Sequence, residues 1–105
     1  MISRVWHGWT TPDNADVYER LLLDEVLPGI LAKNIPGYQG AHVMRRAHDH
    51  EVEFVTMMWL DSLDSVRAFV GEDYEVAYVP DAARAVLTRF DARSAHYDVV
   101  QRPAS

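Results

Sequence analysis

Two arms of strand-forming residues lie between Tyr38 and Leu60, joined by the turn-compatible stretch His48-Asp49-His50, and this pattern predicts a β-hairpin. With Asp49 and His50 as the turn, position 46 opposes 53, 44 opposes 55, 42 opposes 57 and 40 opposes 59. Because side chains alternate between faces, one face carries Gly40, His42, Met44, Arg46, Glu53, Val55, Met57 and Trp59. The other carries Ala41, Val43, Arg45, Phe54, Thr56 and Met58. Neither face is cleanly polar. Such a sheet needs cover on both sides, and one short chain has material for one.

The remaining pattern completes a small domain. Ile2 to Thr10 reads as a first strand, with Ile2, Arg4 and Trp6 alternating with Ser3, Val5, His7 and Trp9. Asp13 or Asn14 is a candidate cap for a helix from about Ala15 to Ala32. Its apolar stripe takes Val17, Leu21, Leu22, Val26, Ile30 and Leu31, and Pro28 should kink it or end it a turn early. After the hairpin, Asp61 and Ser62 offer a cap for a helix with Leu63, Val66, Phe69 and Val70 inward and Gly71 as its stop. Glu72 to Val79 is irregular. Pro80 then opens a short helix with Ala83, Val86, Leu87 and Phe90 on its apolar side, and Arg93 to Gln101 forms the last strand.

The order β-α-β-β-α-(α)-β is that of an α+β, ferredoxin-like split βαβ domain, an antiparallel four-stranded sheet with helices on one face. Its other face stays bare, apolar and rich in Met and aromatic residues. Burial of several large side chains at about 1.5–3 kcal/mol each favours a homodimer that presses two such faces together.

Composition narrows the function classes. The 105 residues, 49% of them hydrophobic, suit one domain over 1–101 with a polar tail at 102–105. A net charge of −6 and a single lysine, Lys33, argue against a nucleic-acid surface. Apolar runs fall far short of the ~20 residues of a membrane span, and the amino terminus lacks a secretory pattern, so a cytoplasmic location with no membrane partner is expected. Without cysteine there is neither a disulfide framework nor a thiolate metal site. His48-Asp49-His50-Glu51 resembles a metal cluster, but its place at a hairpin tip and the lack of a further ligand make it solvated polar sequence, and no metal is expected. Arg45 and Arg46 are expected to pair across the strands with Glu53.

Three segments carry a family resemblance: Pro36 to Arg46 (PGYQGAHVMRR), Val52 to Gly71 (VEFVTMMWLDSLDSVRAFVG) and Arg89 to Val100 (RFDARSAHYDVV). The W-x-D-S-x-x-S-V-x-x-F run from Trp59 to Phe69 is the most specific part. The chain resembles the antibiotic biosynthesis monooxygenase family of dimeric α+β barrels. That family includes oxygenases that need no cofactor and act on aromatic quinols and anthrones, haem-degrading enzymes, and proteins of no known activity. Haem degradation is disfavoured, because the Asn, Trp and His which that branch places on the first strand, the second helix and the following segment are absent here.

An oxygenase without metal or flavin draws its electrons from the substrate. It needs a base, donors for the developing negative charge, and a dry apolar cavity. Histidine is the natural base near neutral pH, and Trp and Tyr supply donors on rigid bodies. The resemblance therefore implies His42 or His96 as base, with Trp59 or a Tyr as oxyanion donor. Trp6, Tyr74, Tyr78 and Arg67 would hold an apolar aromatic phenol, quinol or anthrone, with no cofactor. Each also has a plainer reading: core packing for Trp59, Trp6 and the tyrosines, interface or core hydrogen bonding for the histidines, and helix-surface charge for Arg67. The alternative function is a non-catalytic dimeric protein that binds a small ligand or serves in stress.

Overall fold

The computed structural model describes residues 1–103, so the expected tail over 102–105 lies partly outside the described residues. Strand β1 (Ile2–Thr10) sits at the centre of one antiparallel sheet. On one side it pairs with β3 (Val52–Leu60), in register from Ile2 opposite Leu60 to Thr10 opposite Val52. Strand β2 (Tyr38–Ala47) forms the far edge through the predicted hairpin. Arg46 opposes Glu53, Met44 opposes Val55 and His42 opposes Met57, as the alternation requires. The 40–59 pairing does not form. Tyr38 opposes Leu60 and Ala41 opposes Met58, so β2 spends three residue steps where β3 spends two. Gly40, at φ +108°, takes up the excess in a bulge that a side chain would strain.

The sheet keeps the expected four strand positions, but its other edge is broken into two short pieces, which makes five segments. Both β4 (Arg89–Phe90) and β5 (Ala95–Asp98) pair with β1. Three steps along β1, Val5 to Gly8, face five along the edge, Phe90 to Ala95. The excess around Asp91 and Ala92 bulges out. Phe90 thus belongs to the sheet, not to the last helix, and the strand expected from Arg93 to Gln101 narrows to its middle.

The helices cover one face, giving the α+β ferredoxin-like arrangement. A 3-10 turn (Pro12–Asn14) leads into α1 (Ala15–Leu21), capped by Thr11, whose hydroxyl accepts from the Asn14 N–H, rather than by Asp13 or Asn14. A π-helical turn (Leu22–Val26) follows, then α2 (Leu27–Leu31). Pro28 does not end this run, which continues to Leu31. The wide turn just before it, closed by the Leu27 N–H on the Leu22 carbonyl, absorbs the ring that would crowd a regular helix. The buried stripe is Ala15, Tyr18, Leu22 and Ile30, whereas Val17 and Leu31 are exposed. Helix α3 (Leu63–Val70) is capped by Ser62 and stopped at Gly71 (φ +96°), and α4 (Asp81–Val86) follows Pro80.

Strict alternation in β3 sorts its two faces. Val52, Phe54, Thr56, Met58 and Leu60 are buried under the helices, while Glu53, Val55, Met57 and Trp59 are half-buried on the open face. Two clusters form the core: Phe54 with Tyr18, Leu22 and Val79, and Leu60 with Ile2, Ile30 and Val66. Glu53 does not pair with the arginines opposite it. Arg45 bridges to Asp16 and Glu19 on α1, and Glu53 instead accepts from His7 (2.8 Å) and His48 (3.0 Å), which hold its carboxyl below the usual carboxylate range. No helix among the described residues is long and apolar enough to cross a membrane.

Candidate functional site

A cleft of about 40 Å³ lies between the helices and the covered face of β1 and β3. That volume takes a few waters. Its walls are apolar: Leu22, Val26, Leu27 and Ile30 on one side, Val79 and Ala83 on the other, with Met58 between. Tyr18 is buried and lies edge-on to Phe54, with ring centroids 4.9 Å apart. Burial pushes its phenol up to about 12, so it stays protonated. Polar groups reach the cleft from the sheet side: Arg4, Thr56 and Ser94, all buried.

Arg4 is the dominant charge. It is 3% exposed, and no carboxylate among the described residues lies within ion-pair distance of it. Its guanidinium donates to the carbonyls of Tyr74 (2.5 Å) and Val76 (2.8 Å) and to His96 Nε2 (3.0 Å). These are neutral acceptors, and burial lowers the Arg4 pKa to about 10. Three of the five guanidinium N–H groups are used in this way, leaving two. A buried cation supported only by neutral groups is costly and attracts an anion.

His96 stands opposite Arg4 in the β1–β5 register and shares its face of the sheet. Arginine has no lone pair to offer, so Nε2 is the acceptor and the neutral ring carries its proton on Nδ1. That Nδ1 is buried and has no partner among the described residues. Burial first, and then the Arg4 charge, hold the His96 pKa below its ordinary value. Its one basic lone pair faces Arg4. The ring is therefore placed to position the guanidinium, not to remove a proton from a ligand.

The sequence-expected residues divide between the two faces. Trp6 and Tyr78 line the cleft. The Trp6 indole N–H is committed to the Asp91 carbonyl at 2.9 Å, so Trp6 contributes surface rather than a free donor. Tyr78 sits at the mouth, 40% exposed, against Phe69. Tyr74 is half-buried behind the cleft, with its ring edge-on to His96 at 5.2 Å and its carbonyl on Arg4. It is not helically paired with Tyr78, because 72–79 holds no helix. Arg67 points away on α3, paired with Asp64 and lying over the Tyr74 ring.

His42 and Trp59 do come together, but on the open face. The Trp59 indole donates to His42 Nδ1 at 2.8 Å, with the rings edge-on at 5.8 Å. They cannot reach a ligand held under the helices of the same chain, so His42, Trp59 and His96 line no common cavity. Sequence reasoning passed over Arg4, Tyr18, Thr56 and Ser94. The signal for Arg4 was parity: a cation at an inward position between Ile2 and Trp6. Among the described residues, no group of three or more His, Asp or Glu is arranged to hold a metal ion.

No protein-family model matches the chain, and no curated protein matches it. A solved structure does: a "putative antibiotic biosynthesis monooxygenase" from Bacillus cereus, at a TM-score of 0.66 and 13% identity, covering 99% of this chain and 95% of that one. The likeness supports the fold alone: an α+β, ferredoxin-like domain with an antiparallel sheet.

Proposed function

We propose that the chain binds a small aromatic acid, a phenol, quinol or anthrone, in the cleft beneath the helices and oxygenates its anion without a cofactor. The observation that carries this reading is Arg4, a buried cation with no carboxylate, at the polar end of an apolar cleft. An ionised oxygen on Arg4 would offset the cost of that charge and raise the acidity of the bound ring. The electron-rich anion then reacts with dioxygen. For an anthrone the ring methylene becomes a carbonyl, one O₂ is consumed and one water leaves. The cleft admits little more than a ring edge as it stands, so entry requires the 72–79 segment beside Tyr78 to yield.

An oxygen electrode and absorption spectra of 1,8-dihydroxyanthrone and 1,8-dihydroxynaphthalene test the proposal. Uptake of one O₂ per anthrone, and a bound spectrum matching the free anion, is the expected result. Anion binding without uptake above the buffer rate would leave the second reading, a non-catalytic binder. That reading has its own support, since the lone pairs of His96 and of His42 Nδ1 are both taken by donors.

The open face, with His7, Trp9, Val55, Met57 and Trp59 half-buried, supports the further proposal that two copies pair through it. A single stable protomer in ultracentrifugation at micromolar concentration would refute the pairing.

A further inference from the structure

We infer that the segment between Gly71 and Val79 is a self-inhibitory strap: it occupies the arms of Arg4 that a ligand anion would take, and Arg93 latches it shut. The inference rests on Arg4 being the anion site proposed above. The strap is fixed at its two ends, by Gly71, which stops α3, and by Val79, which is buried in the core. Between them little apolar surface holds it. Glu72, Asp73, Glu75, Val76 and Tyr78 are exposed, and Tyr74 and Ala77 are half-buried. Its hold on the sheet edge is polar. The Ser94 N–H donates to the Glu75 carbonyl (2.6 Å), the Ala77 N–H donates to the Ala92 carbonyl (3.0 Å), and Val76 bridges to Arg93. A segment with few buried apolar contacts opens locally at far lower cost than the core.

Arg4 grips the strap from inside. Its Nη1 donates to the Tyr74 carbonyl and its Nη2 to the Val76 carbonyl, so both terminal nitrogens serve the strap. Arg93 grips it from outside through Asp73 and Glu75. The Arg93 side chain is 51% exposed, and exposed pairs of this kind are weak enough to release. Arg67 reaches Glu72 only at 3.9 Å. The strap ends in Tyr78 and Val79, which wall the cleft, and with the strap closed the cleft of about 40 Å³ excludes a whole ring. An anion and the strap therefore compete for Arg4. The anion brings a full charge that the two carbonyls lack, and a site shielded from water strengthens that attraction. Once the carbonyls are displaced, the strap swings out and the ring gains its space. A strap that is mostly closed lowers the apparent affinity by the fraction of molecules in which it is open.

Hydrogen exchange on the whole chain, with the Ala77 and Ser94 amides as reporters, tests this in wild type, Arg93→Gln and Asp73→Asn, free and with 1,8-dihydroxynaphthalene. Ligand-free Arg93→Gln should exchange both amides about threefold to tenfold faster than wild type, the effect expected of one arginine serving two exposed carboxylates. Amides of β1 and β3 should not change. Arg93 does not line the cleft, yet its loss should strengthen binding of the ionised diol by the same factor, because both readouts count the open population. Asp73→Asn, which cuts one of the two pairs, should move both readouts the same way by less. Saturating wild type with the diol should speed exchange at Ala77 and Ser94, whereas a ligand seated under a closed strap would protect them. Protection by the bound diol, or exchange or affinity unchanged in both variants, overturns the inference while leaving the cleft reading intact. Failure of the diol to bind wild type and both variants removes the cleft reading and this inference with it.

Discussion

Replacing Arg4 by methionine separates the cost of a buried charge from its use. Methionine keeps an unbranched, flexible chain in the same space and removes the cation. In the wild type the fall of the Arg4 pKa to about 10 is equivalent to a penalty on the order of 3 kcal/mol on the charged form. Against it stand the three hydrogen bonds to Tyr74, Val76 and His96, each contributing about 1.5 kcal/mol, the low end for a charged donor. The two sides come within about 1–2 kcal/mol of each other. The carbonyls left behind belong to a segment in which Asp73, Glu75 and Val76 are exposed, so water can replace the lost donors. Urea unfolding followed by circular dichroism should therefore show Arg4→Met within roughly 1 kcal/mol of wild type. Binding should respond very differently. A charge-assisted bond contributes about 1.5–3 kcal/mol, so affinity for ionised 1,8-dihydroxynaphthalene should fall about 10- to 100-fold. Arg4→Lys keeps the charge without the fork and should lie between. Loss of more than about 3 kcal/mol of stability with affinity unchanged would refute the reasoning. Arg4 would then be only a staple for the 72–79 segment.

Three further outcomes follow from the same geometry. His96 has a folded pKa below its unfolded value of about 6.5 because of burial and Arg4, with Glu75 opposing; the unfolded chain takes the proton first, so thermal stability should drop as pH falls below about 6.5, and His96→Gln should flatten that slope. The lowered Glu53 carboxyl also loses its contribution on acidification, but only below about 4.3, so the two windows are separable in melts across pH. Gly37, at φ +82°, has no room for a Cβ beside the Ser65 hydroxyl and Asp61, so Gly37→Ala should lower stability by roughly 2 kcal/mol in urea titrations. Met57→Glu on the open face should leave the circular dichroism spectrum unchanged and weaken self-association in sedimentation; an unchanged sedimentation coefficient at every concentration would count against pairing through that face.

The hairpin was legible because its signal is local. Strand formers alternating around a polar turn fix the register from Arg46–Glu53 to His42–Met57, and β1 and the cap and stop of α3 could be read in the same way. The failures came where an insertion interrupts a period. Nothing in the sequence distinguishes a bulged Gly40 from a turn glycine, and the excess residues between Phe90 and Ala95 divide a strand that alternation alone would have kept whole. The helical stripe slipped from Val17 to Tyr18 because a π turn changes the angle per residue, and hydrophobic period alone does not reveal a π turn.

The expected site residues divide between two faces for a different reason. Residue chemistry drew attention to histidines, whereas position decides what a side chain can touch. His42 and Trp59 sit at parities that place them together and away from the helices, as the hairpin pattern already required. The same parity puts Arg4, Trp6, Thr56 and Met58 under the helices. In that inward row the Thr10 hydroxyl is committed to the Val86 carbonyl, and a buried cation without a carboxylate is the anomaly that packing does not explain. On the proposed reading, a ligand with a charged end would supply an anion for Arg4 while its ring replaced water against Leu22 and Ile30. On that reading His96, held by its bond to Arg4, keeps the guanidinium aimed, and the acidity of the bound ring would do the work that a histidine base would otherwise have to do.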